Sequence, residues 1–282
     1  MRLSVITDEI SQDLDYALEV CEDLKVSTVE LRAIGGANVV SHDQSSLQRV
    51  KTTLKAKNFD VCAISSPFLK CHLYRSGTPQ GAMHFAPTAS REEQWDVLER
   101  ALSIARLLGA PVVRAFSFWR VPDPASVREE VMRTLAQAVE RAREAGLELG
   151  LENEHECNVG TGAEARWMLD HIRSSSFGLV WDPGNEAKLG SKPFPVGYSQ
   201  VRGRVAHVHL KDLDENGNWT KVGTGTIDYL GQLRALSEDG YAGALSLETH
   251  YEAPSSGPEG ATRESVAAIR TLCEQAGVEL HS

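Results

Sequence analysis

The feature that most constrains the fold of this chain is the regular alternation of short apolar runs with longer segments of helical period. Eight strand-like runs recur along the 282 residues, at 3–7, 27–31, 60–65, 111–116, 147–152, 177–182, 205–210 and 243–248. Between them, apolar residues recur at helical spacing, most clearly at 90–109, 123–146 and 258–277. Strands that alternate with helices are joined by crossover connections, so the pattern predicts a parallel sheet.

The number of strands favours a closed barrel over an open sheet. No GxGxxG sequence follows the first run and no P-loop sequence occurs, which argues against a doubly wound fold. No linker and no internal repeat divides the chain. We therefore predict one (β/α)8 barrel domain over residues 1–282 in the α/β class. The stretch 66–89 has no clear period, and it is either a lid over the active-site face or a decorative loop.

Composition excludes several classes of partner. The formal net charge is -10 with no lysine- or arginine-rich run, so we expect no nucleic-acid partner. No stretch approaches the roughly 18 apolar residues of a membrane span. The five cysteines form no CxxC pair, which is typical of a reducing cytosol. We expect a cytoplasmic protein that binds no membrane. The sequence does not decide whether the chain forms a homo-oligomer, because no segment identifies an interface.

Polar residues lie at the carboxyl ends of four consecutive predicted strands. The fifth run ends in Glu152, the sixth in Asp182 and the eighth in Glu248, and His209 lies near the end of the seventh. The carboxyl ends of barrel strands form one face, so these side chains should converge there. Each alone is more often a helix cap or an ion-pair partner. Together they predict a site for one divalent metal ion, Mn²⁺, Mg²⁺, Co²⁺ or Zn²⁺, because three adjacent carboxylates need a cation.

Other polar and aromatic residues near the strand ends have two interpretations each. Lys211 either neutralises a carboxylate or phosphate of the substrate or is a solvated surface lysine. Arg114, within the fourth strand, either binds a substrate carboxylate or pairs with Glu30 or another inner acid. His250 either faces the site or caps a loop. Three aromatic residues either form a wall for a sugar ring or simply pack: Phe68, Phe116 and Trp119.

Several motifs carry a resemblance to a known family. They are VWDPGN, HVHLKD, VGTGTIDY and LSLETH, together with the N-terminal TDEIS and VELR. This set resembles the xylose isomerase-like barrel superfamily of sugar-phosphate isomerase/epimerase-type proteins. Its members include tagatose epimerases, hydroxypyruvate isomerases, inosose dehydratases and endonuclease IV. The resemblance implies metal ligands from strands five to eight, which map onto the four residues above, with His207 as a buried hydrogen-bonding partner beneath the site.

The resemblance also implies a reaction. It points to a metal-dependent isomerase or epimerase acting on a sugar or other small polyhydroxy carbonyl compound through an enediolate. By carry-over, Glu152 and Glu248 are the acid/base pair. Asn185 stands where ketose epimerases often have histidine, and Glu154 and His155 stand where strand five of relatives continues as ENH. These three polar residues are therefore candidate substrate contacts.

Three other functions remain as alternatives. A dehydratase of an inosose- or dehydroshikimate-like compound needs the same metal and proton removal, and the sequence does not separate it from the isomerase. A DNA-repair nuclease like endonuclease IV needs three zinc ions and further histidines, and strands two and three end in VELR and AISS without one. The last alternative is a barrel that keeps the metal ligands without catalysis.

Metal content gives the first test of the predicted site. We expect elemental mass spectrometry of untagged protein to find about one divalent ion per chain, and His209→Ala to lose most of it, because the imidazole is a ligand. About three zinc ions would instead favour the nuclease. No retained metal after soaking in Mn²⁺ would remove the site and the mechanism with it.

Overall fold

A closed parallel barrel forms the centre of the computed structural model, which describes residues 1–74, 90–253 and 255–281. The strands follow one another around the ring in chain order, and β8 pairs with β1. Their bounds are β1 Arg2–Ile6, β2 Thr28–Leu31, β3 Asp60–Phe68, β4 Val112–Ala115, β5 Glu148–Glu152, β6 Phe177–Trp181, β7 Val205–Leu210 and β8 Ala244–Leu247. The predicted (β/α)8 barrel is confirmed.

Helices surround this barrel. Their bounds are α1 Leu14–Asp23, α2 Gln44–Ala56, α3 Gln94–Leu108, α4 Arg128–Glu144, α5 Gly162–His171, α6 Pro183–Lys188, α7 Tyr198–Val201, α8 Tyr229–Glu238 and α9 Gly257–Ala276. Short helical turns lie at Thr7–Glu9, Val39–Ser41, Pro124–Ser126 and Pro193–Gly197. Two small hairpins follow β2 and β7, formed by Ala33–Ile34 with Ala37–Asn38 and by Asp212–Leu213 with Trp219–Thr220. Within the described residues, no helix combines the length and apolar character that a membrane span requires.

The strands divide their side chains between an apolar outer layer and a polar interior. On β5, Leu149 and Leu151 belong to the large apolar core, where the helices cover the barrel. On β7, His207 and His209 project from the opposite side, because alternate residues of a strand share a face. Both histidines are almost fully buried. Buried polar groups need partners, so the barrel interior is the place where charge must be matched.

Two predicted boundaries are wrong. The helix expected from residue 90 begins at Gln94, because Ser90 and Glu93 first close a turn: the Ser90 N–H donates to Glu93 Oε2 at 2.7 Å and the Glu93 N–H to Ser90 Oγ at 3.3 Å. The predicted loop at 66–89 starts too early, because β3 continues to Phe68, whose carbonyl accepts the Phe116 N–H at 2.9 Å. Residues 75–89 of that loop lie outside the described residues, so its interpretation as a lid remains a prediction.

A capping box begins α5. Thr161 Oγ1 accepts the Glu164 N–H at 3.2 Å, and the Glu164 carboxylate accepts the Thr161 N–H at 3.1 Å. We expect Thr161→Ala to lower the free energy of unfolding by about 1 kcal/mol, because the helix loses its N-cap acceptor. Urea denaturation measures this change, with Thr161→Ser as the control that keeps the hydroxyl. Equal stability of Thr161→Ala and the parent would contradict it.

Candidate metal centre

The barrel brings the four side chains predicted at the ends of strands five to eight into one cluster. Glu152, Asp182, His209 and Glu248 each offer a ligand atom, and these atoms lie within 4.8 Å of one another. His209 Nδ1 is 3.4 Å from Glu152 Oε1, 3.5 Å from Glu248 Oε2 and 3.9 Å from Asp182 Oδ2. All four residues are buried. We call this set the quartet.

Three atoms of the quartet are buried without a hydrogen bond of normal geometry. They are Glu152 Oε2, Asp182 Oδ2 and His209 Nδ1. Cations lie near the two carboxylate oxygens, but none of these atoms accepts a hydrogen bond. Buried polar atoms are nearly always satisfied in folded proteins. Three carboxylates and an imidazole buried this close together fit the donor set of a divalent metal ion.

Electrostatics at the quartet also favours an added positive charge. The pKa of Asp182 is raised to about 6, because burial and the neighbouring Glu152 and Glu248 carboxylates together outweigh the opposing effect of Lys211. Burial lowers the pKa of His209, but the Glu30 and Glu152 carboxylates outweigh it and hold that pKa well above its usual range. A proton and a metal ion therefore compete for the same place, as expected for a metal site.

Asp182 is positioned by the helix that follows it. Its Oδ1 accepts the Asn185 N–H at 2.8 Å, so Asp182 is also the N-cap of α6, and Pro183 takes the first helical position. Gly184 leaves room for the Lys211 side chain, since a Cβ at position 184 would lie 2.6 Å from Lys211 Cγ. The sequence DPGN therefore fixes one oxygen of Asp182 in the cap and leaves the other facing the quartet.

Beneath the quartet, Glu30 holds both histidines of β7. His207 Nε2 lies 2.8 Å from Glu30 Oε2, and His209 Nε2 lies 3.1 Å from Glu30 Oε1. Ser65 Oγ also donates to this carboxylate. Burial raises the pKa of Glu30, but the two histidines outweigh it and keep the pKa well below its usual range. With Nε2 bound to a carboxylate, His209 directs Nδ1 towards the quartet.

Lys211 and Arg114 are two of the cations that contact the quartet directly. Lys211 Nζ lies 2.9 Å from Asp182 Oδ2 and 2.8 Å from Glu248 Oε2, and the side chain is almost fully buried, so its interpretation as a solvated surface lysine is wrong. Arg114 Nη1 lies 3.1 Å from Glu152 Oε2. Arg114 therefore pairs with an inner acid, and that acid is Glu152 instead of Glu30.

The three candidate substrate contacts after β5 and β6 form a chain of polar groups that leads away from the quartet. Asn185 Nδ2 donates to Glu152 Oε1 at 3.1 Å, and Asn185 Oδ1 lies 3.0 Å from His155 Nδ1. The same His155 nitrogen lies 2.7 Å from Glu154 Oε1, and Glu154 Oε2 pairs with Lys70 Nζ at 3.2 Å. The chain links a quartet carboxylate to a buried lysine.

His250 lies two residues beyond Glu248, in the segment that follows β8. Its Nδ1 is 3.4 Å from Glu9 Oε1 and its Nε2 is 3.7 Å from Glu248 Oε1. The residue has a left-handed backbone, with φ of 47°. Of the two interpretations of His250, the structure supports the one in which its ring faces the site.

The aromatic residues divide between packing and the site. Phe68 is fully buried against Trp95, with ring centroids 5.8 Å apart, so it is core packing. Phe116 and Trp119 lie beneath the Lys70 ammonium, at 4.5 Å and 5.6 Å. Trp219, in the hairpin after β7, also lies near the quartet: its ring is 5.3 Å from Lys211 Nζ and 5.4 Å from the ring of His250.

Several residues of the site were not assigned to it by sequence reasoning. Glu30 and Arg32 belong to the apolar run VELR, and a charge within a buried strand needs a partner, so that signal was available. Lys70 lies in a segment without clear period. Trp219 has no signal in the sequence, because its place depends on a hairpin. Asp212 organises that hairpin and accepts the backbone N–H groups of Leu213, Gly223, Gly225 and Ile227.

The fold and the cluster together define a parallel (β/α)8-barrel protein with a candidate metal centre at the carboxyl ends of its strands. Residues 18–272 match the family of xylose isomerase-like TIM barrels, and the chain belongs to this family. The match covers far more than half of the chain and agrees with the resemblance carried by the sequence motifs.

Individual relatives are more distant. An inosose dehydratase of Lacticaseibacillus casei is 23% identical over 158 residues, which cover 48% of this chain and 53% of the relative. The chain thus spans about half the length of the curated relatives it matches. Two solved structures, each 18% identical, cover 98% of both chains. One is an IolI protein with a bound zinc atom, with a TM-score of 0.77, and the other is a D-tagatose 3-epimerase-like protein, with a TM-score of 0.76.

The contact between Glu30 and His209 generates a prediction about metal affinity. We expect Glu30→Gln to bind Mn²⁺ about 10- to 100-fold more weakly, because the amide no longer fixes the ring and its tautomer. Isothermal titration calorimetry measures the affinity. Glu148→Gln, at the opposite end of β5, is the control that keeps it. A folded Glu30→Gln protein with the parental Mn²⁺ affinity would show that Glu30 does not orient His209.

Proposed function

We propose that this protein is a divalent-metal-dependent isomerase or epimerase of a sugar or other small polyhydroxy carbonyl compound. The observation that carries the proposal is the convergence of three buried carboxylates and one imidazole, those of Glu152, Asp182, Glu248 and His209, at the active-site end of a barrel. The likeness to an IolI protein with bound zinc and to a D-tagatose 3-epimerase-like protein supports it.

The quartet would hold one divalent ion through its three carboxylates and the Nδ1 atom of His209. The donor set suits Mn²⁺, Mg²⁺, Co²⁺ or Zn²⁺. When bound, the ion supplies Lewis-acid stabilisation of the negative charge that develops on a carbonyl oxygen of the substrate. The chain itself supplies the groups that move the proton, orient the substrate and limit the entry of water.

The proton is moved by Glu152 and Glu248. They approach His209 Nδ1 from β5 and β8, with β6 and β7 between them, so they can reach two different sides of a substrate carbon. Burial raises the pKa of Glu248, but Lys211 and His250 outweigh it and keep that pKa well below its usual range. Burial also raises the pKa of Glu152, but Arg114 and His209 outweigh it and lower that pKa below its usual value. Both carboxylates are therefore ionised at neutral pH, as a proton acceptor must be.

The remaining polar groups surround this pair. In our proposal Asn185, Glu154, His155 and His250 bind substrate hydroxyl groups, because Glu154 offers acceptors and the other three side chains can offer donors as well. Arg114 and Lys211 lie beside Glu152 and Glu248 and would balance negative charge on the substrate. Trp219, in the hairpin after β7, lies beside these groups, with its ring 5.3 Å from Lys211 Nζ.

A dehydratase of a cyclic polyol ketone or a dehydroshikimate-like acid is the second candidate. The observation that favours it is the position of the Lys211 ammonium, 2.8 Å from Glu248 Oε2. After Glu248 removes the proton next to the carbonyl, Lys211 can donate a proton to the departing β-hydroxyl group, which leaves as water. The similarity to inosose dehydratases supports this candidate as well.

Proton exchange with solvent tests the step that both candidates share. With Mn²⁺ present and a panel of keto-sugars and inososes in D₂O, we expect NMR to show deuterium entering a carbon next to the carbonyl. Glu248→Gln should slow this exchange by about 10²- to 10⁴-fold, because the amide cannot accept the proton. Glu148→Gln is the control, and the metal content of each variant is measured in parallel.

The products separate the candidates. A new isomer or epimer supports the first, and an unsaturated product formed with loss of water supports the second. Full exchange in metal-loaded Glu248→Gln would remove Glu248 from the mechanism. An absence of both exchange and dehydration over the whole panel would leave only a non-catalytic barrel.

A further inference from the structure

Glu248 faces two different groups with its two carboxylate oxygens. Oε2 belongs to the quartet, 2.8 Å from Lys211 Nζ and 3.5 Å from His209 Nδ1. Oε1 faces the opposite side, 2.6 Å from Arg32 Nη1 and 3.7 Å from His250 Nε2. This one carboxylate therefore lies between the quartet and a second set of charged side chains.

The second set has the composition of a metal site. Glu9, Glu248 and His250 each offer one ligand atom, and these atoms lie within 4.8 Å of one another. We call this set the trio. The trio shares Glu248 with the quartet. A carboxylate shared by two ligand sets is a feature of two-metal centres, in which the ions are about 3.5 to 4 Å apart.

A guanidinium already binds the carboxylates of the trio. Arg32 Nη2 lies 2.5 Å from Glu9 Oε1, and Arg32 Nη1 lies 2.6 Å from Glu248 Oε1. These are the same oxygens that approach the His250 ring. Arg32 is buried, and its Nε donates to Asp8 Oδ2 at 2.8 Å. A fixed positive charge therefore occupies the place that a second metal ion would need.

Two further hydrogen bonds fix the orientation of the Glu9 carboxylate. Its other oxygen, Oε2, accepts the Thr249 hydroxyl at 2.7 Å and the His250 N–H at 3.1 Å. These two donors leave Oε1 directed at Arg32. An arginine presents donors in a rigid planar fork and stays charged, so it can join two carboxylates permanently, whereas a bound ion exchanges.

We propose that Arg32 is a built-in second cation, which neutralises the trio in place of a metal ion and restricts the centre to one metal ion per chain. Arg32 is then a positioning residue: by holding Glu248 Oε1, it keeps Oε2 directed at the quartet. The inference rests on the proposed function for the ion in the quartet. It adds that the chemistry of this protein is that of a one-metal site with an arginine beside it.

The number of bound ions tests this inference. We expect Arg32→Met to bind about one more Mn²⁺ per chain than the parent, because the trio then needs a cation. Equilibrium dialysis with elemental mass spectrometry counts the ions. Electron paramagnetic resonance should show a spin-coupled Mn²⁺ pair in Arg32→Met and isolated Mn²⁺ in the parent.

Two matched variants locate the extra ion. His250→Ala in the Arg32→Met background should remove it, since His250 is a ligand of the trio alone. Asp182→Asn in the same background should weaken the other ion, because Asp182 belongs to the quartet alone. An Arg32→Met protein with the parental number of ions would overturn the proposal. So would an extra ion that persists without His250.

Arg32→Met leaves several buried carboxylates without their partner, and this variant can fail to fold. The double variant Asp8→Asn/Arg32→Met also removes the charge of Asp8, a partner of Arg32 that lies outside the trio. It is tested by the same ion count, with the same expected and contradicting results. If the parent binds no ion, the proposed function falls, yet an ion gained on removal of Arg32 and lost again with His250 still supports the role of Arg32. If neither protein binds an ion, both proposals are overturned.

Discussion

The constraint on which the rest of the structure depends is the need to match several buried carboxylates with positive charge inside a closed barrel. Glu30, Glu152, Asp182 and Glu248 are all buried, at 2% exposure or less. A buried charge without a partner is costly, so each carboxylate must lie against a cation or a hydrogen-bond donor. The histidines of β7 contact Glu30. Arg114 pairs with Glu152, Lys211 with Asp182, and Arg32 with Glu248.

The site combines two kinds of positive charge, the fixed charges of side chains and, in our proposal, an exchangeable metal ion. Arg32 and Arg114 are fixed cations, and each binds one carboxylate oxygen, Glu248 Oε1 and Glu152 Oε2 respectively. The other oxygens, Glu152 Oε1 and Glu248 Oε2, lie 3.4 Å and 3.5 Å from His209 Nδ1. Fixed charges therefore hold the carboxylates in place around a position that an exchangeable ion can enter. In our proposal this division gives both a rigid site and a reactive one.

Much of the fold follows from local patterns. Alternating apolar runs and amphipathic segments predicted every barrel strand, because strand and helix periods are properties of neighbouring residues. The quartet was predicted because parallel strands of a closed barrel end at one face, so residues far apart in the chain meet there. Boundaries were less predictable. Ser90 and Glu93 have the residue types of a helix start, yet they close a turn before Gln94, since the same side-chain bonds serve both structures.

The sequence by itself determined which elements form and which chemical groups end the strands of the barrel. Only the tertiary structure decided how those groups are paired. Arg114 binds Glu152 whereas the histidines bind Glu30, and Arg32 joins Glu9 to Glu248 at the carboxyl ends of three neighbouring strands. Secondary structure depends on residues a few positions apart, whereas ion pairing depends on distances of a few ångströms between residues far apart along the chain, such as Arg32 and Glu248, which are 216 positions apart. Those distances exist only once the barrel has closed.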